Sequence, residues 1–274
     1  ATAISSNTKI GIGNAQTLAK FAELVNGGTT CEGKTIILTD DIDLSDYQTG
    51  EGWTPIGNAS KQFKGNFNGN GHKVTRLYIN RSLVDYQGLF GYATGELKNV
   101  GVINADVTGQ KFSGSLAGYA STITNSNATG NVTGSNNTGG LAGHTSNTIT
   151  DSYAIGSVTG NGSCTGGLVG NAQQAITNSY AMGNVTGTTS STGGLAGHAN
   201  TITNSYATSS ITGTNQTGGL AGYASTITNS YSTGNVTGTG RTGGLVGWVY
   251  QAITNSYATG NVTSTGELTG GLAG

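Results

Sequence analysis

A tetrapeptide of the form Gly-Leu-X-Gly recurs eight times in this 274-residue chain, once with serine in place of the first glycine. Its leucines, 25 or 27 residues apart, are Leu89, Leu116, Leu141, Leu168, Leu195, Leu220, Leu245 and Leu272. A period of this length is typical of repeat folds, in which each unit packs only against its neighbours. The chain is therefore best understood as a stack of similar units.

Each leucine is followed by two further apolar positions. The two series are Leu97, Ile123, Ile149, Ile176, Ile202, Ile227 and Ile253, and then Val107, Val132, Val158, Val185, Ile211, Val236 and Val262. The distance between them is nine residues in every unit but the first, whereas the flanking connections vary by one residue. Short segments of constant length that are rich in threonine and bounded by Gly, Asn or Ser indicate strands joined by turns. No 3.6-residue apolar period supports a helix in this region.

One such unit cannot bury its apolar side chains, but stacked units pair every backbone group with the coils above and below. The sequence therefore predicts an all-β fold, a parallel β-helix (β-solenoid) of 25–27-residue coils. Successive coils should lie about 4.8 Å apart, the spacing between strands. The general chirality of parallel crossovers predicts a right-handed coil.

The first 88 residues differ from the rest, since they hold 16 of the 23 charged residues and no Gly-Leu-X-Gly motif. An amphipathic helix is predicted over about residues 14–26, with Asn14 as its N-cap and Gly27-Gly28 as its end. We expect it to cap the core. Residues 1–88 are thus predicted to form the cap and the first irregular coils, and 89–274 the repeat solenoid. The sequence stops partway through a coil, which predicts further repeats or self-association at that edge.

The repeated Gly-Leu-X-Gly motif, together with the segments "ILTDDIDL", "WTPIGN" and "FKGNFNGNGHKV", resembles the GLUG-repeat proteins. The resemblance covers roughly residues 14–274. It implies a bacterial secreted or cell-surface protein, such as an adhesin or an accessory part of a large secreted peptidase. The motif brings no set of functional residues with it.

Polysaccharide processing, the enzymatic alternative for a β-helix, needs paired carboxylates or an acidic metal-binding cluster. Residues 89–274 contain only four carboxylates, Glu96, Asp106, Asp151 and Glu267. Only Glu96 and Asp106 fall in the same or adjacent coils, and they lie at opposite ends of one strand and turn. The chain is therefore predicted not to be an enzyme and to need no cofactor.

No metal site is predicted either. Asp40, Asp41, Asp43 and Asp46 suggest calcium, but they are better explained as residues of turns and outward strand positions. His144 and His198 occupy the same position in two coils, yet a coil with Asn171 lies between them. Two coil steps, about 10 Å, are too far for one metal ion.

Aromatic residues recur at two positions of the unit. In "LKNVGV" the apolar residues fall at offsets 0, 3 and 5, so offset 4 should point outward. Offset 4 holds Tyr153, Tyr180, Tyr206, Tyr231 and Tyr257, and the position after Gly-Leu-X-Gly holds Tyr223 and Trp248 in two late units. These seven residues are the predicted binding surface. Stacked tyrosines stabilise neighbouring coils, but a strip of them also offers sugar rings or a partner an apolar surface with polar tips.

Threonines flank the inward isoleucine in several units and form T-I-T rows. The pairs are Thr122 and Thr124, Thr148 and Thr150, Thr201 and Thr203, and Thr226 and Thr228. Regular threonine arrays on solenoids resemble those of ice-binding proteins, which makes ice binding the alternative function. Ala175 and Ala252 interrupt the rows.

The net charge is −1, which disfavours nucleic-acid partners because these require clustered Lys and Arg. No apolar run approaches the roughly 18 residues of a membrane span. Cys31 and Cys164 should lie several coils apart, too far for a disulfide. The sequence thus predicts an extracellular or cell-surface module whose partner is a glycan, a host or cell-surface protein, or another copy of the chain.

Overall fold

The computed structural model describes residues 8–274. It is an all-β parallel solenoid of about 10 coils, with roughly 26 residues in each coil and one N-terminal α-helix, Ala15–Asn26. A short 3-10 helix, Ser45–Tyr47, lies in the first coils. The predicted fold class is confirmed.

The strands of the described residues form three sheets that run along the stack. Sheet 1 contains Lys9–Ile12, Thr35–Leu38, Asn66–Asn68, Phe90–Lys98, Ala117–Thr124, Ala142–Thr145, Ile149–Thr150, Val169–Thr177, Ala196–Thr203, Ala221–Thr228 and Val246–Thr254. Sheet 2 contains Ile42–Asp43, Lys73–Thr75, Tyr78–Asn80, Gly101–Thr108, Asn127–Gly134, Tyr153–Ile155, Val158–Gly160, Tyr180–Met182, Val185–Gly187, Tyr206–Ala207, Ile211–Thr212, Tyr231–Ser232, Val236–Gly238, Tyr257–Ala258 and Val262–Ser264. Sheet 3 contains Thr138–Gly139, Thr165–Gly166, Thr192–Gly193, Thr217–Gly218, Thr242–Gly243 and Thr269–Gly270.

Equivalent residues of successive coils pair directly. In sheet 1, Ile176 lies beside Ile202, and Ile202 beside Ile227. The leucine amides follow the same column, since Leu141 N–H donates to the Leu168 carbonyl at 2.9 Å and Leu168 N–H to the Leu195 carbonyl at 2.8 Å. Like residues therefore lie one above the next, as the period predicted.

The interior of the repeats is filled by the leucine, isoleucine and valine columns, whose members are buried up to Leu245, Ile227 and Val236. A buried serine column also runs through it. The Ser179 hydroxyl donates to the Thr177 carbonyl at 2.8 Å and accepts from the Ser152 amide at 3.2 Å. This pattern satisfies an inward polar group in each coil without water, as burial requires.

Coils of 25 and 27 residues coexist because the longer ones absorb two extra residues, one of them within sheet 1. The pairing of Val169–Thr177 with Ala196–Thr203 shifts register between Ala172 and Ala175, where Gln173 and Gln174 are exposed. The shift leaves the isoleucine column aligned.

The predicted helix is present, with the Asn14 side chain accepting from the Thr17 amide at 2.9 Å. Its buried face includes Leu18, Phe21 and Val25 and belongs to the same core as the first coils. Phe21 meets Phe63 edge to face, with ring centroids 5.7 Å apart. The strand before the helix, Lys9–Ile12, is the terminal strand of sheet 1, so the helix lies at the end of the stack.

Candidate functional site

The tyrosine ladder consists of Tyr153, Tyr180, Tyr206, Tyr231 and Tyr257, each at the start of a strand in sheet 2. Successive ring centroids are 4.8, 4.9, 5.0 and 5.1 Å apart. The ring planes are parallel within 4°. The in-register backbone sets this spacing, because strand pairing places equivalent residues side by side.

The stacking decides what the ladder can offer to a partner. Each inner ring has both faces against neighbouring rings, so the ladder presents ring edges and phenol hydroxyls. The first four tyrosines are half-buried, and Tyr257 is exposed. Burial raises the pKa of Tyr180 and of Tyr231 above the usual value, so both hydroxyls stay protonated at neutral pH and can donate hydrogen bonds.

The ladder is flanked by a second outward column, two residues further along the chain in each coil. This column holds Ile155, Met182, Thr208, Thr233 and Thr259, and Ile155 is 40% exposed. The buried residue between the two columns, for example Ala154, points into the core, as the two-residue alternation of a strand requires. The tyrosine edges thus border a surface that is apolar in two coils and polar in the next three.

An asparagine column lies at the turn before the ladder. Its members have left-handed backbone conformations, which asparagine tolerates. The side-chain amides bond from coil to coil, with Asn204 Nδ2 donating to Asn178 Oδ1 at 3.2 Å. Asp151 accepts from Asn178 at 3.0 Å, but an ionised carboxylate cannot donate onward to Asn125. The column therefore holds the turns together and is interrupted at Asp151.

Tyr223 and Trp248 belong to a different column from the tyrosine ladder. They lie in sheet 1, so the seven predicted binding residues divide between two faces. Tyr223 stacks on His198 with centroids 4.5 Å apart and meets Trp248 edge to face. Arg241 lies over the Trp248 ring, 4.4 Å from its centroid, a cation–π contact.

Two aromatic residues at the other end of this column were missed by the sequence reasoning. Tyr86 and Phe112 stack with centroids 4.7 Å apart, and Tyr86 also contacts Tyr92 at 5.3 Å. Tyr92 stacks on Tyr119 at 4.1 Å. The available signal was that Tyr86 and Phe112 stand three and four residues before the motif leucines.

His144 and His198 are held apart by Asn171 in the coil between them, as expected. His144 is 7% exposed and stacks on Tyr119 with centroids 4.9 Å apart. Burial, with the charge of His198 as a smaller cause, lowers the pKa of His144 to about 4. The imidazole is therefore neutral at physiological pH and packs as an aromatic ring.

Within residues 8–88, called the leader below, the aspartates that could suggest calcium contact nearby groups of the chain. Asp41 accepts from the Lys73 amide at 2.9 Å and contacts His72 Nδ1 at 3.3 Å. Asp43 pairs with Arg76. Within residues 8–274, no three His, Cys, Asp or Glu side chains converge on one point.

Cys31 and Cys164 are both free thiols. Burial raises the pKa of each thiol to about 11, so neither is a reactive thiolate at neutral pH.

The threonine rows form two columns in sheet 1. The column after the isoleucine is continuous over six coils and consists of Thr124, Thr150, Thr177, Thr203, Thr228 and Thr254. The column before the isoleucine contains Ala175 and Ala252, both at register shifts. The flat two-column array thus extends over short segments only.

The model of the GLUG motif matches residues 213–237 and 238–263. These two stretches are GLUG repeats. It is 38% identical over 145 residues to halomucin of Haloquadratum walsbyi, covering 48% of this chain and 2% of halomucin. It is also 47% identical over 62 residues to a candidate Gly-rich membrane protein of Evansella cellulosilytica, covering 22% of this chain and 7% of that protein. The chain thus spans only a small part of the length of these relatives.

Among solved structures, a candidate immunoglobulin A1 protease from Bacteroides ovatus matches with a TM-score of 0.62 at 21% identity, over 96% of this chain and 84% of that chain. An IgA1 protease matches with a TM-score of 0.54 at 16% identity, over 94% of this chain and 20% of that chain. At these identities the likeness shows the fold alone. The matches together support a surface or accessory β-helix module. No helix within residues 8–274 is long and apolar enough to cross a membrane.

Proposed function

We propose that this GLUG-repeat chain is a non-enzymatic extracellular or cell-surface module, an adhesin-like stalk whose outward columns contact glycans, a host protein or neighbouring copies. The observation that carries the proposal is the tyrosine ladder, five parallel rings in one row along the stack. A row of identical groups at a constant spacing suits a repetitive partner.

The backbone supports the part of the proposal that concerns a rigid stalk. About 10 coils at a step of about 4.8 Å give a length on the order of 50 Å. Hydrogen bonds between successive coils continue through all three sheets. The small share of halomucin that this chain covers fits one module within a much longer protein.

The distribution of charge supports a non-enzymatic role. In the repeats, Glu96 is paired with Lys98 at 2.8 Å, and Asp151 accepts an amide in the asparagine column. Neither carboxylate faces a second one, as acid–base hydrolysis of a glycoside requires.

The proposal is tested by glycan-array binding of the purified chain, followed by binding of the triple variant Tyr180→Phe, Tyr206→Phe and Tyr231→Phe. Phenylalanine keeps the stack and removes the hydroxyls, which are what the ladder presents. We expect at least a tenfold loss of affinity, because a hydrogen bond that is lost at a desolvated contact costs about 1 kcal/mol or more. The matched control, Tyr250→Phe in sheet 1, lies outside the seven predicted binding residues and should bind normally. Equal binding by all three proteins would refute a role of the ladder.

Ice binding is the second candidate, favoured by the continuous column of six threonines in sheet 1. Its test is thermal hysteresis of the chain in cold solution. Replacing Thr177 and Thr203 by lysine should abolish the hysteresis, whereas lysine at the exposed Thr208, just after a strand of sheet 2, should not. An absence of hysteresis in the unmodified chain excludes this candidate.

A further inference from the structure

We propose that the tyrosine ladder is a site of intramolecular oxidative cross-linking, in which tyrosines of neighbouring coils join through carbon–carbon bonds to give dityrosine. The four neighbouring pairs are Tyr153 with Tyr180, Tyr180 with Tyr206, Tyr206 with Tyr231, and Tyr231 with Tyr257. The proposal concerns covalent chemistry within one chain and does not depend on the ligand of the module.

The chemistry requires two phenols and a one-electron oxidant. Each phenol gives one electron to the oxidant and releases its hydroxyl proton to water, which leaves a tyrosyl radical. Two radicals then couple at the ring carbons next to the hydroxyl-bearing carbons. Each coupled carbon finally loses its hydrogen as a proton while the ring oxygen gains one, which restores both phenols. The net change per link is the loss of two protons and two electrons, and the oxidant is reduced by the same two electrons.

The geometry of the ladder favours this coupling. In dityrosine the two ring centres lie slightly closer together than one coil step, and in the ladder they are already 4.8 to 5.1 Å apart. The rings therefore need to rotate about χ2 rather than travel, and this torsion is soft for tyrosine. The strand pairing of Tyr180 with Tyr206 keeps the equivalent edges of the two rings aligned. A radical formed at an inner ladder position meets a tyrosine on both sides.

Other tyrosines of the chain provide internal comparisons. Tyr223 has His198 and Trp248 as its ring neighbours, so it has no phenol to couple with. Tyr250 is 68% exposed and is the tyrosine of the described residues most accessible to a second molecule. Tyr92 and Tyr119, stacked at 4.1 Å, form a further pair with ladder-like geometry. If exposure controlled the coupling, Tyr250 would dominate the links. If stacking controls it, the links form between the stacked tyrosines.

A link would covalently join two residues of the same column that are 25 to 27 residues apart in the sequence. Cross-links of this loop length stabilise mainly by restricting the unfolded chain. In a solenoid, where coils are held only by their neighbours, a row of such links would fasten consecutive coils against separation along the axis.

The test is photo-oxidation of the dilute, full chain with a ruthenium tris-bipyridine complex and persulfate, which together act as a one-electron oxidant. Monomer is isolated by size exclusion, digested with elastase, and searched by mass spectrometry for linked peptides that have lost two hydrogen atoms. We expect links between ladder neighbours and between Tyr92 and Tyr119, together with dityrosine fluorescence in the monomer.

Tyr206→Phe is the decisive variant, because phenylalanine preserves the stack but cannot couple. Links that include position 206 should disappear, while links from Tyr153 to Tyr180 and from Tyr231 to Tyr257 persist. Tyr223→Phe, the matched control, should leave the pattern and the yield unchanged. The proposal is wrong if dityrosine forms only in dimers, if Tyr250 dominates the links, or if Tyr206→Phe and Tyr223→Phe reduce the yield equally. Circular dichroism of each variant confirms that it is folded before oxidation.

Discussion

The leader, residues 8–88, and the repeats, residues 89–274, bury their cores in different ways. The leader packs large, single-use side chains, and Trp53, Phe63 and Phe67 are almost completely inaccessible. Its surface carries ion pairs such as Arg81 with Glu51 at 2.8 Å. The repeats instead place aliphatic or small side chains at equivalent interior positions of successive coils, with little charge.

This difference indicates which changes in side-chain volume should destabilise each region. In the leader, each large side chain fits a cavity that occurs once, so truncation leaves a void that nothing fills. In the repeats, side chains vary within a column, as Ala207 and Ser232 show at one buried position. What does not vary there is the backbone clearance between successive coils. The leader should therefore be sensitive to lost volume, and the repeats to added volume.

The largest effect is expected for Phe63→Ala in the leader. Phe63 is fully buried and contacts Phe21 and Phe90, with centroids at 5.7 and 5.4 Å. Its truncation should lower the free energy of unfolding by about 3–5 kcal/mol, because the cavity cost adds to the lost transfer energy. Denaturant unfolding measures this loss. Leu83→Ala, at a side chain that is 84% exposed, is the control and should change stability by less than about 0.5 kcal/mol.

The second prediction concerns added volume in the repeats. A methyl group at Gly194 would overlap the carbonyl oxygen of Gly219 in the next coil. Gly194→Ala should therefore cost about 1–3 kcal/mol, the usual range for overpacking. Gly271→Ala is the matched control, since Gly271 occupies the same repeat position and a methyl group there meets nothing within 4 Å. Equal unfolding midpoints for the two variants would contradict the idea that coil clearance limits the repeats.

Much of the fold could be predicted from the sequence because the same spacing of apolar residues recurs in successive units. The spacing of Leu141, Leu168 and Leu195 fixed the coil length, and apolar residues at alternate positions showed that the tyrosines face outward. The helix was predictable from purely local signals, the Asn14 cap and the apolar stripe. These features depend on backbone periodicity and short-range chemistry, which a sequence contains directly.

The arrangement of the candidate site was less predictable. Periodicity shows that a residue joins a column, but not which sheet the column crosses, and so it did not separate Tyr223 from the tyrosine ladder. It also does not show that the ring faces are covered, because that depends on side-chain rotation within the stack. Tyr86 and Phe112 were missed for a related reason. Their contact follows from left-handed backbone conformations at both residues, with φ of 61° in each.

The third prediction concerns the pH dependence of stability that arises from His144, whose ring is buried in the repeats without an oppositely charged partner. The pKa of His144 is lowered to about 4 in the folded chain, against about 6.5 when unfolded. Between these values the unfolded chain binds a proton that the folded chain does not, so stability falls as pH decreases from about 6.5 to 4. Solvent screening reduces the effect, and we expect it to be roughly 1 kcal/mol.

The matched variant is His144→Asn, because asparagine occupies the same column position in the next coil at Asn171. Its free energy of unfolding should fall less than that of the unmodified chain when the pH changes from 7 to 5. His198 and the leader carboxylates are common to both proteins, so their contributions cancel in the difference. An identical fall in both proteins would show that His144 titrates normally in the folded state.

The smallest effect, and the only expected gain, is at the interruption of the asparagine column. Asp151 accepts from Asn178 at 3.0 Å and has no proton to give to Asn125. Asp151→Asn should supply that proton and close the column, and asparagine suits the φ of 51° at this position. We expect a gain of up to about 1 kcal/mol in the free energy of unfolding at pH 7, since the added hydrogen bond is exposed. Asp151→Ala, which lacks both the acceptor and the donor, should instead be destabilising. If both variants lose stability equally, the amide chain does not hold the turns, and the strand pairing of the repeats suffices to position them.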